Sequence, residues 1–425
     1  MRILMLTPMP PQRQATNGVP LVTYAQLMGL APNHDITIAT VAGPDPRELE
    51  AVLDLRAAGF QVLAVERRTT HGRLSWQRRA QWVSAYACGT APWRSVWYWE
   101  PQLQRQLDDL LSKQRFDLIT ADDNATGMYQ LHTVTPKLLT EHEVRPTQPI
   151  DWRGWQRPNR LRWAWDEQDW QRWRVYQRTV WRQFDRIQVF TARDAAAIEQ
   201  LAPKLSERVR INPFGIDLPA PTAVDDCDAQ PNTLVFSGGF AHQPNVDAAL
   251  WLVRDIMPIL RHQRPGIHLT LVGSYPPAEV QALAGPDITV TGSVPAVEPY
   301  LQRASVILAP IRTGGGMRTK VLQGMAMGKP VVTTTLGAEG MRIDEQLAPL
   351  VIADDAAGFA QATLNLLSAP QQCLQLGQQA RAYVLHHYSM AAYARRLEAV
   401  YAELLQSTKV YGPTSGLLRP IGNSG

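Results

Sequence analysis

The clearest chemical pattern in the sequence is a run of three glycines, Gly314 to Gly316, followed closely by two cations, Arg318 and Lys320. The apolar spacing beyond the glycines predicts a helix over about 317–327, with both cations in its first turn. A helix N-terminus already presents positive partial charge, so cations there are unfavourable unless an anion binds. The pattern favours a diphosphate site, and the alternative is a pair of surface cations beside a flexible loop.

A second glycine-rich turn follows a predicted strand in the segment LVFSGGFAHQPN, where Ser237 precedes Gly238 and Gly239. Bare glycine backbone lets a ligand approach closely, and Asn245 or Asp247 is expected to cap the helix that follows. A tight strand-to-helix turn with positive φ explains the same two glycines. This turn alone does not decide between ligand binding and local geometry.

Spacing argues against two other nucleotide-binding motifs. The segment GMAMGKP at 324–330 is one residue short of a P-loop and ends on proline where serine or threonine is required. No G-x-G-x-x-G motif follows the first predicted strand. ATPase and dehydrogenase activities are therefore disfavoured.

The elements that must position these loops alternate between short aliphatic runs and helical patterns. The predicted strands are RILMLT, DITIATV, FDLITAD, KLLTE, DRIQVFT and RVRINPF in the first half, and NTLVFSGG, IHLTLVG, DITVTG, ASVILAP, KPVVTTT and APLVIAD in the second. Such alternation predicts an α/β protein with two doubly wound parallel sheets. Parallel sheets bind ligands at the carboxyl ends of their strands, where both glycine-rich loops are expected.

The same patterns divide the chain into segments. They predict a first domain over 1–214, a linker over 215–232, a second domain over 233–385, a closing helix over 386–408 and a flexible tail over 409–425. The linker is rich in Pro, Asp and Ala and has neither helical nor strand periodicity.

Composition limits the class of protein. With 45% hydrophobic and 19% charged residues the chain belongs with folded proteins, and its net charge of +4 requires any basic surface to be local. Three scattered cysteines, Cys88, Cys227 and Cys373, lack disulfide or zinc spacing and favour a reducing compartment. No run approaches about eighteen apolar residues, so a soluble or peripheral protein is expected.

Several segments, taken together and in order, resemble glycosyltransferase family 4. They are TEHEVR at 140–145, DRIQVFTARDAAAI at 185–198, INPFGID at 211–217, SGGFAHQPNVDA at 237–248, GGGMRTKVLQGMAMGKPVVTT at 314–334 and GAEG at 337–340. The resemblance implies the GT-B fold, in which two Rossmann-like domains face each other across a cleft and the C-terminal helix returns to the N-terminal domain. It also implies a nucleotide-sugar donor in the C-terminal domain, an acceptor in the N-terminal domain, and no metal or other cofactor.

The resemblance further implies roles for individual residues. Arg318 and Lys320 are expected to neutralise the donor diphosphate, and His142 is expected to contact the transferred sugar, so these three are the predicted catalytic residues. Predicted donor-binding residues are Gly238, Gly239, Gly273, Gly315, Gly316, Arg318, Lys320, Gln323 and Glu339. An acceptor or phosphate loop is predicted at Gly18 and Arg145.

The sequence departs from the family at two carboxylates. The family's helix has a glutamate that contacts the donor ribose and a second glutamate eight residues earlier near the sugar, and the matching positions here are Gln323 and Gly315. An amide accepts fewer hydrogen bonds than a carboxylate, which weakens or retunes donor binding. Two alternatives follow: a weakened homologue that binds sugars or a partner protein, and an enzyme such as an epimerase that acts on the nucleotide-sugar itself.

The segment from Trp152 to Arg182 is rich in tryptophan and arginine. It contains seven tryptophans and eight arginines against three acidic residues. Interleaved Trp and Arg favour contact with lipid headgroups, whereas the near-helical spacing of Trp163, Trp170 and Trp173 favours packing of a helix onto the first domain. Nucleic-acid binding is a third interpretation, but no known nucleic-acid-binding pattern accompanies the segment.

The resemblance, supported by the glycine and cation motifs, implies a retaining glycosyltransferase that moves a sugar from a nucleotide-sugar to a glycan or lipid-linked acceptor during surface polysaccharide or glycoconjugate synthesis. The expected location is the cytoplasm, with peripheral contact to the inner face of the membrane through the Trp/Arg-rich segment. No nucleic-acid partner is expected.

Overall fold

The computed structural model of the protein describes residues 1–13, 18–43, 45–67, 69–70, 73–74, 80, 83–84, 91–92, 95–96, 98–144, 160–217, 230–343 and 346–411. The predicted phosphate-loop residue Arg145, most of the linker and the end of the tail lie outside these ranges.

The first domain contains a seven-stranded parallel sheet in the described part of the chain, in the order β3-β2-β1-β4-β5-β6-β7. Its central strands are buried along almost their whole length because helices cover both faces of the sheet. The strands are β1 (Arg2–Thr7), β2 (Asp35–Ala42), β3 (Gln61–Glu66), β4 (Leu118–Asp122), β5 (Lys137–Glu141), β6 (Arg186–Val189) and β7 (Val209–Ile211).

Helices connect these strands. They are α1 (Gly18–Leu30), α2 (Pro46–Ala57), α3 (Pro101–Lys113), α4 (Arg160–Trp181) and α5 (Ala192–Leu201). Short 3₁₀ turns span Asn124–Met128 and Pro203–Arg208, and a small antiparallel pair joins Thr69–Thr70 to Arg73–Leu74.

The second domain repeats the design with a six-stranded parallel sheet in the order β10-β9-β8-β11-β12-β13. Its strands are β8 (Thr233–Ser237), β9 (His268–Val272), β10 (Ile288–Val290), β11 (Val306–Ala309), β12 (Val331–Thr333) and β13 (Val351–Ile352). In both sheets the order reverses beside the first strand of the domain, and ligands of such sheets bind at that point.

The helices of the second domain flank this sheet. They are α6 (Gln243–Trp251), α7 (Met257–Gln263), α8 (Ala278–Gln281), α9 (Glu298–Arg303), α10 (Thr319–Ala326), α11 (Ala356–Ser368) and α12 (Pro370–His387). A π-helical turn, Leu252–Ile256, joins α6 to α7, and a small antiparallel pair joins Arg342–Ile343 to Gln346–Leu347.

The last helix, α13 (Met390–Tyr411), packs against α1 of the first domain. The two helices meet at Gly29, where an added Cβ would lie 2.7 Å from the carbonyl oxygen of Met390. Arg396 then donates hydrogen bonds to Asn212 and to the carbonyl of Pro213. The C-terminal helix therefore returns to the N-terminal domain, and the predicted GT-B fold is confirmed.

Several local details differ from the sequence-based expectations. Strand β3 was not predicted, because its apolar run is short. Helix α6 begins after His242, so neither Asn245 nor Asp247 caps it. Helix α10 begins at Thr319, which makes Arg318 its N-cap residue. Helix α13 begins at Met390 rather than at 386, since the hydroxyl of Ser389 accepts a hydrogen bond from the amide of Ala392 at its start.

Part of the Trp/Arg-rich segment forms α4 and packs into the first domain. Trp173, Val180 and Trp181 are buried in that domain's core, and the Trp181 indole donates to the Glu141 carboxylate. The guanidinium of Arg174 lies 5.0 Å from the ring centre of Trp170. Packing accounts for the described tryptophans at the end of this helix, whereas residues 145–159 lie outside the described part. Within the described residues, no helix combines the length and apolar character needed to cross a membrane.

Candidate functional site

The glycine run predicted to bind an anion connects the carboxyl end of β11 to the start of α10. Gly314 and Gly316 have φ values of 93° and 71°, a region that glycine adopts without the steric penalty of a side chain. The two turns direct the backbone of the loop toward the first domain. An added Cβ on Gly316 would lie 2.8 Å from the carbonyl oxygen of His142.

Arg318 is the most informative side chain of this loop. It is 8% exposed, and its Nη1 donates to the carbonyl oxygen of Gly315. Its Nε and Nη2 are buried and have no hydrogen-bond partner among the described residues. Burial lowers the pKa of the guanidinium, while the neighbouring carboxylates of Glu143 and Glu339 oppose that change. Buried, unsatisfied donors are costly, so this arrangement suits an anionic ligand that accepts from them.

Lys320 lies in the first turn of α10 beside Arg318. Its amine donates to the side-chain oxygen of Asn245 and lies 5.0 Å from the ring centre of Phe236. Burial, with a further contribution from Arg318, lowers the pKa of Lys320 to about 7. The amide nitrogen of Asn245 donates to the carbonyl of Gly239 at 2.7 Å, so this residue joins the two glycine-rich loops instead of capping a helix.

The glycines after β8 and β9 have a packing reason. A Cβ on Gly238 would lie 2.8 Å from the Lys320 amine and 2.9 Å from the Asn245 side chain, and one on Gly273 would lie 2.0 Å from the carbonyl oxygen of Gly238. Glycine is therefore required at position 273, where a Cβ would meet backbone, whereas a side chain at position 238 would displace the ends of Lys320 and Asn245. Their contribution to the site is to let Lys320 reach the carboxyl edge of the sheet.

The first domain contributes His142, which directly follows β5. Its Nε2 lies 3.5 Å from Oδ1 of Asp122, and its ring packs edge-on against Phe190 with centroids 5.1 Å apart. Asp122 ends β4 and is fully buried, and burial raises the pKa of its carboxyl group, which the nearby histidine opposes. Asp122 was not predicted from the sequence, although a polar residue at the carboxyl end of a buried parallel strand indicates a position near the ligand.

Two side chains of the first domain cross to the glycine loop. The Oε1 atom of Glu143 accepts from the backbone amide of Gly315 at 3.1 Å. The Nη1 atom of Arg193 donates to the carbonyl of Gly314 at 2.9 Å and lies 3.3 Å from a carboxylate oxygen of Glu339. These contacts define a cleft with a first-domain wall, formed by the ends of β4 and β5 and the start of α5, and a second-domain wall, formed by residues 314–320.

Most of the predicted site residues come together along this cleft. Gly18 is the first residue of α1, and an added Cβ there would lie 3.7 Å from the hydroxyl of Thr319. Gln323 follows Lys320 on α10 and is partly buried. The structure brings the following predicted residues to the cleft or its edge: Gly18, His142, Gly238, Gly239, Gly273, Gly315, Gly316, Arg318, Lys320 and Glu339. Arg145 lies outside the described residues.

Three contributors beyond Asp122 were not predicted: Glu143, Arg193 and Asn245. Arg193 lies in the first turn of α5, so the dipole argument that identified Arg318 would have identified it too. Glu143 and Asn245 act through contacts with distant segments, which no local pattern encodes. In the part of the chain that the structure describes, no group of three or more His, Cys, Asp or Glu side chains is arranged to hold a metal ion.

One protein family matches the sequence of most of the second domain. Residues 231–369 match the family Glycosyl transferases group 1. The matched residues include both glycine-rich loops, Arg318 and Lys320. No curated protein matches the chain in sequence.

Solved structures match almost the whole chain. A sucrose-phosphate synthase from Thermosynechococcus elongatus has 16% identity and a TM-score of 0.66, covering 96% of this chain and 100% of its own. HepE from Anabaena in complex with UDP-glucose has 13% identity and a TM-score of 0.62, covering 96% and 100%. A glycosyltransferase from Rickettsia africae has 13% identity and a TM-score of 0.62, covering 95% and 98%. At such identities these matches concern the fold, which all of them share over both domains.

Proposed function

We propose that the protein is a retaining glycosyltransferase that transfers a sugar from a nucleotide-sugar, bound on the second-domain wall, to an acceptor bound on the first-domain wall. The observation behind this proposal is the buried Arg318 guanidinium, next to Lys320 at the start of α10, two of whose nitrogens have no partner within the described part of the chain. The match of the second domain to Glycosyl transferases group 1 supports it.

The chemistry of the transfer suits these groups. The bond between the anomeric carbon and the diphosphate oxygen breaks, and negative charge develops on that oxygen as the diphosphate leaves. Arg318 and Lys320 stabilise this charge by hydrogen bonds and by their own positive charge. Electrostatic stabilisation of this kind is usually the largest single contribution of an active site to the rate. The amides of Thr319 and Lys320 in the first turn of α10 add their positive partial charge.

The acceptor hydroxyl forms the new bond on the face that the leaving group departs from. Its proton passes to the departing diphosphate oxygen, so the anomeric configuration is retained and the atoms balance without a protein base. His142 and Asp122 lie on the acceptor side of the cleft, where the histidine contacts the transferred sugar and the buried aspartate fixes its ring. Two protein cations next to the diphosphate take the place of a divalent metal ion in this proposal.

For the acceptor we propose a glycan or a lipid-linked saccharide of a surface polysaccharide or glycoconjugate pathway. The enzyme would then act in the cytoplasm at the inner face of the membrane, and the Trp/Arg-rich segment would supply the peripheral contact. Indole and guanidinium groups suit that contact, because indole prefers the headgroup level and arginine pairs with lipid phosphate.

The proposal is tested by nucleoside diphosphate release from UDP-glucose, GDP-mannose and ADP-glucose, with and without saccharide acceptors and EDTA. The expected result is acceptor-dependent release from one donor that persists in EDTA, with a product whose anomeric configuration by NMR matches the donor. Release that requires a metal ion, or a product of inverted configuration, would contradict the mechanism.

The second candidate, a binding protein of the same fold, is favoured by Gln323 in place of a carboxylate. A wild-type protein that binds a donor without product from any acceptor would support this candidate. A product that forms without any acceptor would instead support an enzyme that acts on the nucleotide-sugar alone.

A further inference from the structure

The contact between Glu143 and Gly315 joins an anionic side chain of one domain to the cation loop of the other. Gly315 accepts a hydrogen bond from Arg318 through its carbonyl oxygen and donates one to Glu143 through its amide. A cation and a carboxylate therefore flank a single peptide residue in the cleft. A ligand that reaches Arg318 comes close to Glu143.

The space occupied by Glu143 exists because residue 315 is glycine. A Cβ on Gly315 would lie 2.9 Å from both Cγ and Oε1 of Glu143, which is closer than real Cβ contacts. Gly315 itself does not have a positive φ, unlike its two glycine neighbours, so local conformation does not require glycine here. A side chain at position 315 would therefore displace the Glu143 carboxylate of the other domain.

The two residues adjacent to Glu143 in the chain, His142 and Val144, are each fixed by contacts within the first domain. The ring of His142 packs against Phe190, and the backbone amide of Val144 donates to Oδ1 of Asp194 at 3.2 Å. Asp194 is itself fixed by a 2.6 Å hydrogen bond from the hydroxyl of Thr191. Glu143 itself remains partly exposed in the cleft, so its carboxylate is preorganised and accessible.

Charge decides which part of a donor such a carboxylate can recognise. A carboxylate repels a diphosphate, and it accepts hydrogen bonds strongly from hydroxyl groups. We propose that Glu143 is a specificity-determining residue that accepts hydrogen bonds from hydroxyls of the donor's sugar, next to the diphosphate that Arg318 binds. The inference rests on the proposed function and adds to His142 a second first-domain residue, Glu143, that recognises the transferred sugar through its hydroxyl groups.

The test compares the binding of a nucleotide-sugar with that of its nucleoside diphosphate, using calorimetry on UDP-glucose with UDP, GDP-mannose with GDP and ADP-glucose with ADP. The first variant is Glu143→Gln, whose amide oxygen still accepts from the Gly315 amide but accepts fewer sugar hydroxyls. We expect it to lower affinity for the nucleotide-sugar about tenfold to a hundredfold, with nucleoside diphosphate affinity changed less than about twofold. Glu199→Gln, on an exposed position of α5, removes the same charge and is expected to match wild type.

A second variant displaces the carboxylate without removing it. Gly315→Ala introduces a Cβ where Glu143 lies, so this variant is expected to bind the nucleotide-sugar more weakly than wild type. The double variant Gly315→Ala with Glu143→Ala is expected to bind it no more weakly than Glu143→Ala alone. Equal losses for both ligands in Glu143→Gln, or no loss for either, would overturn the role of Glu143. A wild-type protein that binds no nucleotide would instead overturn the proposed function, so the two failures are distinguishable.

Discussion

The two walls of the cleft differ in the sign of the charge that most of their side chains present. The second-domain wall presents Arg318 and Lys320, and two guanidinium nitrogens of Arg318 lack partners among the described residues. The first-domain wall presents His142, which lies against the buried Asp122, and Glu143, which contacts Gly315 of the other wall. Glu339 is the acidic exception on the second-domain side, and Arg193 of the first domain pairs with it.

If the proposed function is right, this difference in charge determines which wall contacts the diphosphate of a nucleotide-sugar and which contacts its sugar. An anion gains hydrogen bonds and charge neutralisation at the second-domain wall and meets repulsion at the first-domain wall. Hydroxyl groups suit the carboxylate and imidazole of the first-domain wall. In the proposed function, the cleft thus separates the binding of the diphosphate from the recognition of the sugar and the acceptor. Each prediction below perturbs one wall of the cleft.

The largest effect is expected for Lys320→Ala. Loss of a cation beside the leaving diphosphate should lower kcat/KM about a hundredfold, or about 3 kcal/mol of transition-state stabilisation. The thermal unfolding midpoint should not fall, because removing a buried amine with a lowered pKa also removes a desolvation cost. Steady-state kinetics and thermal unfolding check both points, with exposed Lys113→Ala as the control. Kinetics equal to wild type would remove Lys320 from the diphosphate site.

The pH dependence of nucleoside diphosphate binding is the second prediction. Burial lowers the pKa of Lys320 to about 7, so the amine loses its proton above that pH in the free protein. A bound anion favours the protonated form, so affinity should fall with rising pH above 7 by up to about tenfold per unit. Calorimetry from pH 6 to 9 measures this slope, and Lys320→Met should flatten it. An equally steep slope in Lys320→Met would assign the proton to another group.

The lowered pKa of Lys320 also makes the free energy of unfolding depend on pH. Because the amine's pKa in the folded protein lies below its ordinary value of 10.5, the unfolded chain binds more protons between about pH 7 and 10.5. The contribution of Lys320 to the free energy of unfolding therefore becomes less unfavourable as pH rises through that window.

A smaller, acceptor-side effect is expected for Asp122→Asn. This change removes the carboxylate behind His142, so kcat should fall about tenfold through loss of positioning, while nucleoside diphosphate affinity stays within about twofold of wild type. Initial rates and calorimetry separate the two quantities, and exposed Asp109→Asn is the matched control. A loss of diphosphate affinity in Asp122→Asn would break the division between the walls.

The smallest effect is expected for Arg193→Ala. Its contacts with Gly314 and Glu339 cross the cleft, but the side chain is 42% exposed, and exposed ion pairs contribute little. The KM for the nucleotide-sugar should rise about threefold with kcat nearly unchanged, and Arg193→Lys should show part of the change. A loss as large as that of Lys320→Ala would make Arg193 a third diphosphate ligand.

The sequence contained enough information for the fold and for half of the cleft. Twelve aliphatic runs were predicted as strands, and each contains a strand of the two sheets, because strands buried on both faces are continuously apolar. Arg318 and Lys320 could be identified because a helix start and a glycine run are local features. The first-domain wall was harder to predict, because His142 and Glu143 meet the second domain only after both domains fold. Asp122 lies against His142 inside the first domain, and His142 was found through family resemblance.

Two positions show the physical limit of a local interpretation. Asn245 looks like a helix cap in sequence, yet its side chain bridges Gly239 and Lys320, which are distant along the chain. Gly315 looks like one of three turn glycines, yet its lack of a side chain makes room for Glu143. In both cases a tertiary contact, absent from any local pattern, determines what the residue does.

The most direct test of the account is calorimetric titration of UDP, GDP and ADP into wild-type protein, Arg318→Ala and, as a control, Arg254→Ala at an exposed position of the same domain. The proposed function requires a bound nucleotide to place its diphosphate next to the two Arg318 nitrogens that have no partner among the described residues. The account predicts that wild type and Arg254→Ala bind one of the three equally well, and that Arg318→Ala binds it at least about tenfold more weakly. Equal affinity in Arg318→Ala, or no binding by wild type, would contradict it.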